Sequence, residues 1–374
     1  VTVRKQMINK FKKIVIKIGS SSIVNESTKI IRTKWLSAIC RDIASVHSTK
    51  KIIIVCSGAI ALGSKFINEK KSIRRLEDKQ AAAAVGQIEL ANHWQQSLKK
   101  YNINTAQLLL TLEDSEIRRR YLNVRKTINS LHKKNIIPII NENDTVATEE
   151  IRYGDNDRLA ARVAQMIDAD LLILLSDIDG LYSMSPNKNY KAKKIKDIYK
   201  IDTSIEKMAD DQSSSVGSGG MVTKIWAAKI CMNSGCSTVI TNSDKARPLI
   251  NINKDNSTWF HAVKTPRSSR KQWLLNHLHS SGTIIIDEGA RKAVLNNKSL
   301  LPAGVIDIKG RFNRGDVISI TNTKNIKIGI GVIAYNASDA KKIIGKNSKD
   351  IKNILGYDGR DELIHKDDLV KVNL

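Results

Sequence analysis

Short apolar runs alternate with longer amphipathic stretches over the first two thirds of the chain. Apolar runs of about five residues predict buried strands, at 14–18, 52–56, 106–110, 136–140 and 171–175. The stretches between them predict helices, at 30–46, 81–98, 113–132 and 158–168, of which 113–132 is highly charged and expected to be exposed. This order predicts a mainly parallel sheet with helices on both faces, which is a three-layer α/β sandwich.

The pattern changes towards the end of the chain. Residues 183–215 are polar and predict an irregular flap over the ligand-binding site of the first domain. Residues 242–280 predict the end of this domain and a linker. From Gly282 onward, short alternating strands are separated by glycines, at 283–286, 305–309, 316–320 and 326–333, and predict a small β-barrel. We therefore expect domains at 1–265 and 282–374, joined by a linker at 266–281.

Polar residues follow several of the predicted strands. Lys17 and Gly19 lie at the end of the first strand, Ser57 follows the second, and the cluster 141–144 and the pair 176–177 follow two later strands. The carboxyl ends of parallel strands face the ligand crevice of such a sheet. Two simpler interpretations stay open here: Asn and Asp residues also cap helices, and a surface lysine before a turn would look the same as Lys17.

A glycine-rich segment at 215–220 precedes a predicted helix that carries Lys224. Free N–H groups at such a helix start bind phosphate, although a Ser- and Gly-rich stretch is also typical of a flexible linker. Lys224, one turn into the helix, favours the phosphate interpretation. The chain lacks the P-loop motif and the protein-kinase motifs, so phosphoryl transfer would use another fold.

The composition is that of an ordinary globular protein, with 41% hydrophobic and 26% charged residues. The net charge of +25 suggests nucleic-acid binding, but the charge is spread along the chain: residues 281–374 contain 16 Lys and Arg against 11 Asp and Glu. No apolar run approaches the roughly 20 residues that span a membrane, and residues 14–18 are too short for a signal peptide, so a cytoplasmic location is expected. The four cysteines lack paired spacing and are predicted to be small buried hydrophobic residues.

Four motifs occur together in one order: IVIKIGSS, VCSGAIALG, NENDTVA with GDND, and SGGMVTK. They resemble the amino-acid-kinase family and, within it, the enzymes that phosphorylate glutamate. The segments LPAGV and GRFNRGD resemble the PUA domain, a small β-barrel often associated with RNA. The chain differs from the family pattern at Ser176 and Ser218, where the family often has threonine, and both changes keep a hydroxyl group.

The resemblance implies the amino-acid-kinase fold with a PUA-like C-terminal barrel, and ATP-dependent phosphorylation of the γ-carboxylate of L-glutamate, the first step of proline biosynthesis. ATP and Mg²⁺ are the implied cofactors, with no metal site formed by the protein itself. The implied residues fall into three groups: for catalysis Lys17, Lys224 and Asp157; for glutamate Ser57, Asp144 and Asn156; for ATP Lys17, Ser176, Asp177, Ser218, Gly219, Gly220, Met221, Val222, Thr223 and Lys224. Asp157 is expected to hold the two lysines together.

Other functions stay open at this point. One alternative is another kinase of the same family, acting on a small acid or on a nucleoside monophosphate. A second alternative is an RNA-binding or regulatory protein whose kinase half is degenerate. The resemblance also implies a homo-oligomer, feedback inhibition by proline and a downstream γ-glutamyl phosphate reductase, and it raises RNA binding by the C-terminal domain.

Overall fold

The computed structural model describes residues 7–67, 75–111, 113–146, 156–186, 191–210, 220–245, 247–263, 265 and 280–371. The chain divides into two compact units, Val1–Arg267 and Ser268–Leu374. Residues 266–279 lie outside the described part, so the linker predicted at 266–281, and with it the predicted domain limits, stay predictions.

The first unit is organised around one large sheet. Its strands are β1 (Lys13–Ile18), β2 (Lys51–Cys56), β3 (Thr105–Leu110), β4 (Ile137–Glu142), β5 (Leu171–Ser176), β6 (Asp197–Ile198), β7 (Ser237–Asn242) and β8 (Ser257–Phe260). They lie side by side in the order β3-β4-β2-β1-β5-β7-β8-β6. Every pairing is parallel except that between β7 and β8, which is antiparallel. The predicted mainly parallel sheet is confirmed.

Helices cover both faces of this sheet. They are α1 (Ser20–Ile23), α2 (Thr33–His47), α3 (Ala59–Ile67), α4 (Leu76–Lys99), α5 (Glu113–Glu116), α6 (Arg118–Lys133), α7 (Asn156–Met166), α8 (Thr203–Asp210) and α9 (Met221–Asn233), with a 3₁₀ turn at Met7–Lys10. One apolar cluster packs α2 and α4 on one face, and a second packs α7 and α9 on the other. The predicted three-layer arrangement is therefore confirmed. None of the helices in the described ranges is long and apolar enough to cross a membrane.

The alternation of side chains along β1 decides where Lys17 points. Ile14, Ile16 and Ile18 belong to the cluster under α2 and α4, whereas Val15 belongs to the cluster under α7 and α9. Successive side chains of a strand point to opposite faces, so Lys17 shares the face of Val15. This parity directs the Lys17 ammonium group towards the two helices that carry Asp157 and Lys224.

The prediction of one exposed helix at 113–132 is wrong in two respects. The backbone at Ile117 is extended (φ −74°, ψ 110°), which separates α5 from α6. In α6 the side chain of Ile128 is fully buried. The high density of charge hid an amphipathic pattern, because the few apolar residues of α6 still face the sheet.

The prediction that residues 183–215 are irregular is also wrong in part. The short strand β6 and the helix α8 lie within this range. The Asp202 carboxylate accepts hydrogen bonds from the backbone N–H groups of Ser204 and Ile205 at 3.0 and 3.1 Å, so it caps α8. Residues 187–190 and 211–215 lie outside the described part, and a flap there stays a prediction.

The strand β8 was missed within the segment interpreted as a closing segment and linker. Its four residues Ser257–Phe260 are all buried, and they pair with β7 on one side and β6 on the other. A strand this short carries too few residues for its alternation to be recognised in the sequence.

The second unit has its own sheet and its own core. Its elements are β9 (Gly282–Ile286), α10 (Glu288–Leu295), β10 (Val305–Gly310), β11 (Val317–Asn322), β12 (Lys327–Val332), α11 (Ala337–Ile343), α12 (Ile351–Leu355) and β13 (Leu369–Lys371), with 3₁₀ turns at Pro302–Gly304, Ser348–Asp350 and Lys366–Asp368. The strand order is β10-β9-β11-β12-β13, and the β9–β11 pairing is parallel. The prediction of a separate, β-rich C-terminal domain is confirmed, and the three helices and β13 were not predicted.

The four cysteines, Cys40, Cys56, Cys231 and Cys236, are all buried, and none of them forms a disulfide. Burial raises the pKa of the Cys40 and Cys56 thiols to about 12. Their prediction as small buried hydrophobic residues is confirmed.

Candidate active site

The predicted site residues gather at the carboxyl edge of the first sheet, where β1, β2, β4 and β5 end. Lys17 lies one residue before the end of β1, Ser57 directly follows β2, and Ser176 is the last residue of β5. Because these strands are neighbours and parallel, their ends meet at one edge, which is where ligands bind in open α/β sheets.

Two lysines from different elements meet on one buried carboxylate. Lys17 Nζ lies 2.7 Å from Asp157 Oδ1, and Lys224 Nζ lies 3.1 Å from Asp157 Oδ2. Asp157 is completely buried in the first turn of α7, and Lys17 and Lys224 are only 8% and 4% exposed. The predicted convergence of Lys17, Asp157 and Lys224 is therefore present in the structure, although their catalytic roles stay a prediction.

The electrostatics of the cluster depend on this geometry. Burial alone would raise the pKa of Asp157, but the charges and hydrogen bonds of Lys17 and Lys224 outweigh burial and hold that pKa well below its usual range. Asp157 is thus ionised at neutral pH. Two ammonium groups and one carboxylate carry a net positive charge, which suits the phosphate groups of a nucleotide.

Thr223 also reaches this carboxylate. Its hydroxyl group lies 3.0 Å from Asp157 Oδ2 and 2.9 Å from the carbonyl oxygen of Gly220. The sequence placed Thr223 among the ATP-binding residues only. In the structure it links the start of α9 to the lysine-organising carboxylate.

A chain of buried amides lies beside the lysine cluster. Asn156 Nδ2 is within 2.8 Å of both the Cys56 carbonyl oxygen and Ser57 Oγ, and within 3.0 Å of Asn141 Oδ1. Asn141 Nδ2 in turn donates to Gln87 Oε1 at 2.6 Å. Ser57 and Asn156, both predicted substrate residues, are therefore in contact.

Asn141 and Gln87 were not predicted as site residues. Asn141 is the first residue of the polar cluster that follows the apolar run of β4. Its place directly after a buried strand was the signal in the sequence that could have identified it. Gln87 is one polar residue in the middle of α4, and nothing in its sequence neighbours distinguishes it from a surface glutamine.

Asp144, the third predicted substrate residue, lies in the turn after β4 and is half-buried. Burial raises the pKa of its carboxyl group to about 6. Within the described ranges it makes no hydrogen bond to Ser57 or Asn156. A carboxylate that is poorly solvated in this way gains from a cationic partner, such as the ammonium group of an amino acid.

The predicted ATP-binding residues lie next to the lysine cluster, beyond β5 and at the start of α9. Ser176 Oγ donates to Asp177 Oδ1 at 2.8 Å, and Asn242 Nδ2 donates to the Asp177 carbonyl oxygen at 2.8 Å. Gly220 is the residue before α9, which begins at Met221 and includes Val222. Ser218 and Gly219 lie outside the described residues.

A surface depression of about 450 Å³ lies at the opposite, amino edge of the sheet and is also rich in lysine. There Lys13 Nζ donates to the carbonyl oxygen of Ile167, and Lys50 Nζ donates to that of Phe11 at 2.7 Å. His132 Nε2, in the last turn of α6, donates to the Ile52 carbonyl oxygen at 3.2 Å. Cations near helix carboxyl ends offset the partial negative charge there, which explains this basic region structurally.

Family models match both units. The model of the amino acid kinase family matches residues 12–242, and the model of the PUA domain matches residues 282–355. The first match includes all the residues that converge on Asp157, and the second covers the sheet of the second unit up to β12.

Two relatives illustrate how far the similarity extends. The chain is 48% identical over 361 residues to the glutamate 5-kinase of Paramagnetospirillum magneticum, covering 96% of this chain and 97% of that protein. It is 47% identical over 367 residues to the glutamate 5-kinase of Bartonella henselae, covering 98% of this chain and 97% of that protein. Among solved structures, UMP kinase from Ureaplasma parvum is similar over 67% of this chain and 98% of that one, at 16% identity and a TM-score of 0.47.

Proposed function

Because this chain belongs to the amino acid kinase family, we propose that it transfers the γ-phosphoryl group of ATP to the γ-carboxylate of L-glutamate. The products are ADP and γ-glutamyl phosphate. The observation that supports phosphoryl transfer is the pair of lysines held 2.7 and 3.1 Å from one buried carboxylate at the carboxyl edge of the sheet. The choice of glutamate is supported by relatives with about half of their residues identical over nearly the whole chain.

The proposed chemistry needs positioning and charge rather than a covalent intermediate. The moving phosphoryl group spreads negative charge over its oxygens, and fixed positive groups stabilise that charge. Lys17 and Lys224 provide two such groups from different elements. Asp157 offsets their mutual repulsion, so both ammonium groups stay in place before the substrates arrive.

Glutamate is proposed to bind on the side of the buried amides. Ser57 and the backbone N–H groups after it hold carboxylate oxygens, and Asn156 and Asp144 hold the α-ammonium group. Asn156 Oδ1 is buried and has no hydrogen-bond partner among the described residues, so an acceptor is left over for such a donor. This arrangement would fix the γ-carboxylate in line with the phosphate that it attacks.

ATP is proposed to bind between β5 and α9, with Ser176, Asp177 and residues 218–224 as its contacts. Mg²⁺ is proposed to enter with the phosphate groups, whose oxygens are the ligands that this cation prefers. In the described part of the chain there is no group of three or more His, Cys, Asp or Glu side chains that could hold a metal ion.

A substrate panel tests this function. ADP release would be measured with ATP and Mg²⁺ in the presence of glutamate, N-acetylglutamate, aspartate or UMP. We expect release with glutamate to exceed release with each of the other acceptors by at least about tenfold, which corresponds to about 1.4 kcal/mol of transition-state binding. Preference for another acceptor would contradict the substrate, and no release with any acceptor would contradict the kinase activity.

We further propose that proline inhibits the reaction and that a γ-glutamyl phosphate reductase consumes the product in the cytoplasm. An acyl phosphate is a reactive product, which favours prompt use by a second enzyme. The same assay, repeated with and without proline, tests the inhibition. RNA binding by the second unit stays a prediction, and a filter-binding titration with single-stranded RNA at two salt concentrations would test it.

Self-association is proposed through the region of α3, α4 and the edge strand β3. Large apolar side chains are exposed there, with Ile88 75%, Phe66 62%, Val85 39% and Leu109 38% accessible. Exposed apolar side chains and an edge strand with one unpaired side are both typical of interfaces. Light scattering after size exclusion would give the mass, and Ile88→Asp should shift it towards that of the monomer.

A further inference from the structure

The amides of Gln87, Asn141 and Asn156 form one polarised chain behind the proposed glutamate site. Each oxygen accepts from the next amide nitrogen: Gln87 Oε1 from Asn141 Nδ2 at 2.6 Å, and Asn141 Oδ1 from Asn156 Nδ2 at 3.0 Å. The three residues are 9%, 2% and 5% exposed, so bulk water does not compete for these bonds. Turning over the first amide would set two N–H₂ groups against each other. The Cys56 carbonyl oxygen, which can only accept, orients Asn156, and Gln87 Oε1 is the acceptor that holds the other end of Asn141.

The two ends of this chain carry unpaired polar atoms. Asn156 Oδ1 and Gln87 Nε2 are buried and lack a hydrogen-bond partner among the described residues. A buried unpaired amide group costs about 1–3 kcal/mol. An apolar side chain of similar length would bury no such donor at position 87. Packing alone therefore does not favour glutamine at this place.

The backbone around Gln87 is held against the loop that carries Ser57. A Cβ atom on Gly86 would lie 1.9 Å from the Ala59 carbonyl oxygen, and one on Gly63 would lie 1.8 Å from that of Ala82. Helices α3 and α4 therefore touch through their main chains. Since α3 begins two residues after Ser57, this contact fixes Gln87 relative to Ser57.

We propose that Gln87 is a positioning residue that holds Asn141 against Asn156, so that Asn156, which the Cys56 carbonyl oxygen orients, stays in place to hold Ser57 with Nδ2 and to present Oδ1 to the ammonium group of the amino-acid substrate. This inference rests on the proposed function, because it assumes that Asn156 contacts glutamate. Gln87 itself acts through two other side chains. Its loss should therefore weaken the binding of glutamate and leave that of ATP unchanged.

The test compares four single variants of the full chain by steady-state kinetics with each substrate varied. Gln87→Met removes the acceptor at similar length, Gln87→Asn withdraws it by one methylene, and Gln87→Glu keeps an oxygen towards Asn141. Gln96→Met is the matched control, because Gln96 lies on the same helix and is exposed. We expect KM for glutamate to rise about tenfold or more in the first two variants, as for loss of one buried hydrogen bond.

We expect KM for glutamate in Gln87→Glu and Gln96→Met, and KM for ATP in all four variants, to stay within about threefold of wild type, a change of less than one buried hydrogen bond. If Gln87→Met does not fold, Gln87→Asn carries the same expectation. Equal increases in both KM values, or an unchanged KM for glutamate, would overturn the positioning role.

A double variant separates this role from general damage. If Gln87 acts through Asn156, adding Gln87→Met to Asn156→Ala should raise KM for glutamate by less than about twofold, whereas independent effects would multiply. Thermal unfolding with and without glutamate provides a second readout. A wild-type protein with neither ADP release nor a melting shift on adding glutamate would overturn the proposed function and this inference together, whereas normal wild-type values with unaffected Gln87 variants would overturn the inference alone.

Discussion

The two edges of the large sheet both bring lysines and a carboxylate together, but with different partners. At the carboxyl edge, Lys17 and Lys224 share the side chain of Asp157. At the amino edge, Lys50 donates to the main-chain carbonyl oxygens of Asn9 and Phe11, and the Asp170 carboxylate accepts from main-chain N–H groups.

We interpret this difference as one between cations proposed to act on a ligand and cations that stabilise the fold. At the amino edge, burial lowers the pKa of Lys13 and Lys50. Their ammonium groups donate to main-chain carbonyl groups, which are fixed in place by the fold. At the carboxyl edge, a phosphate oxygen can compete for lysines whose partner is a side chain. A lysine-rich depression alone is therefore a poor indicator of an active site, and the partner of each lysine is more informative.

The largest effect is expected from Asp157→Asn. This change keeps the size of the side chain but removes the charge between Lys17 and Lys224, so their repulsion is no longer offset. We expect kcat to fall roughly 100-fold or more, as for other losses of preorganised charge. The measurement is steady-state kinetics, with a melting curve to show that the variant is folded.

Asp170→Asn is the matched control at the opposite edge. Its carboxylate accepts from the Lys12 and Lys13 N–H groups at 2.9 and 2.8 Å, so its loss should lower Tm and leave kcat within about twofold. If kcat of Asp157→Asn stayed within about threefold of wild type, the role of Asp157 would be structural only.

A smaller effect is expected from Asp144→Ala, which should raise KM for glutamate far more than KM for ATP. A carboxylate that pairs with the substrate ammonium group contributes on the order of 1.5–3 kcal/mol, or roughly 10- to 150-fold in affinity. Equal increases in the two KM values would mean that Asp144 is structural and that the substrate lies elsewhere.

The pH dependence of kcat/KM for glutamate should report the same residue. Burial raises the pKa of Asp144 to about 6, so the carboxylate is protonated as pH falls through that value and loses its attraction for an ammonium group. We expect kcat/KM to fall up to about tenfold per pH unit below 6. In Asp144→Asn this fall should be absent, and a profile unchanged in that variant would assign the titration to another group.

The raised pKa of Asp144 also predicts a pH dependence of stability that is opposite to that of kcat/KM. The folded state binds the Asp144 proton more tightly than the unfolded state, so its contribution to the free energy of unfolding is present at low pH and lost as pH rises through about 6. The change lies between the ordinary value of 3.8 and about 6, so melting curves of wild type and Asp144→Asn between about pH 3.5 and 7 would separate this trend from the kinetic one.

At the amino edge, Lys50→Met should change stability and not activity. The variant leaves the Asn9 and Phe11 carbonyl groups without this donor, at a cost of about 1–2 kcal/mol, which corresponds to about 2–8 °C in Tm. Lys100→Met, at an exposed position after α4, is the control. A loss of kcat in Lys50→Met with an unchanged Tm would contradict the proposed distinction between the edges.

The smallest effect on catalysis is expected from ending the chain at Ser280. All the residues proposed to contact substrates precede position 225, so measurable kinase activity should remain. Solubility or regulation should change more than kcat. A folded but inactive truncated protein would show that residues after 280 contribute to the site.

The parts of the fold that the sequence predicted well are those with strong, local patterns. Strands β1, β2, β4 and β5 are continuous apolar runs, because both of their faces are covered. The strand β8 and the break at Ile117 could not be predicted, since four residues and one dihedral angle leave no periodic signal.

The candidate site divides in the same way. Lys17, Asp157 and Lys224 were found through motifs, but their meeting depends on which face each element presents, and this is a property of the packed sheet. Gln87, and the contact of the predicted ATP-binding residue Thr223 with Asp157, were not predicted for a related reason. Their importance comes from contacts with residues 54 and 66 positions away, and no pattern around either residue records such a partner.

The parity of β1 also limits how this chain can evolve. A point substitution in the strand has a local cost, but insertion or loss of one residue between Val15 and Lys17 would exchange the two faces for everything beyond it. The ammonium group would then enter the apolar layer under α2 and α4, and an isoleucine would face Asp157. Related sequences should therefore tolerate insertions and deletions in the connections between strands. Insertions or deletions within β1 should not be tolerated.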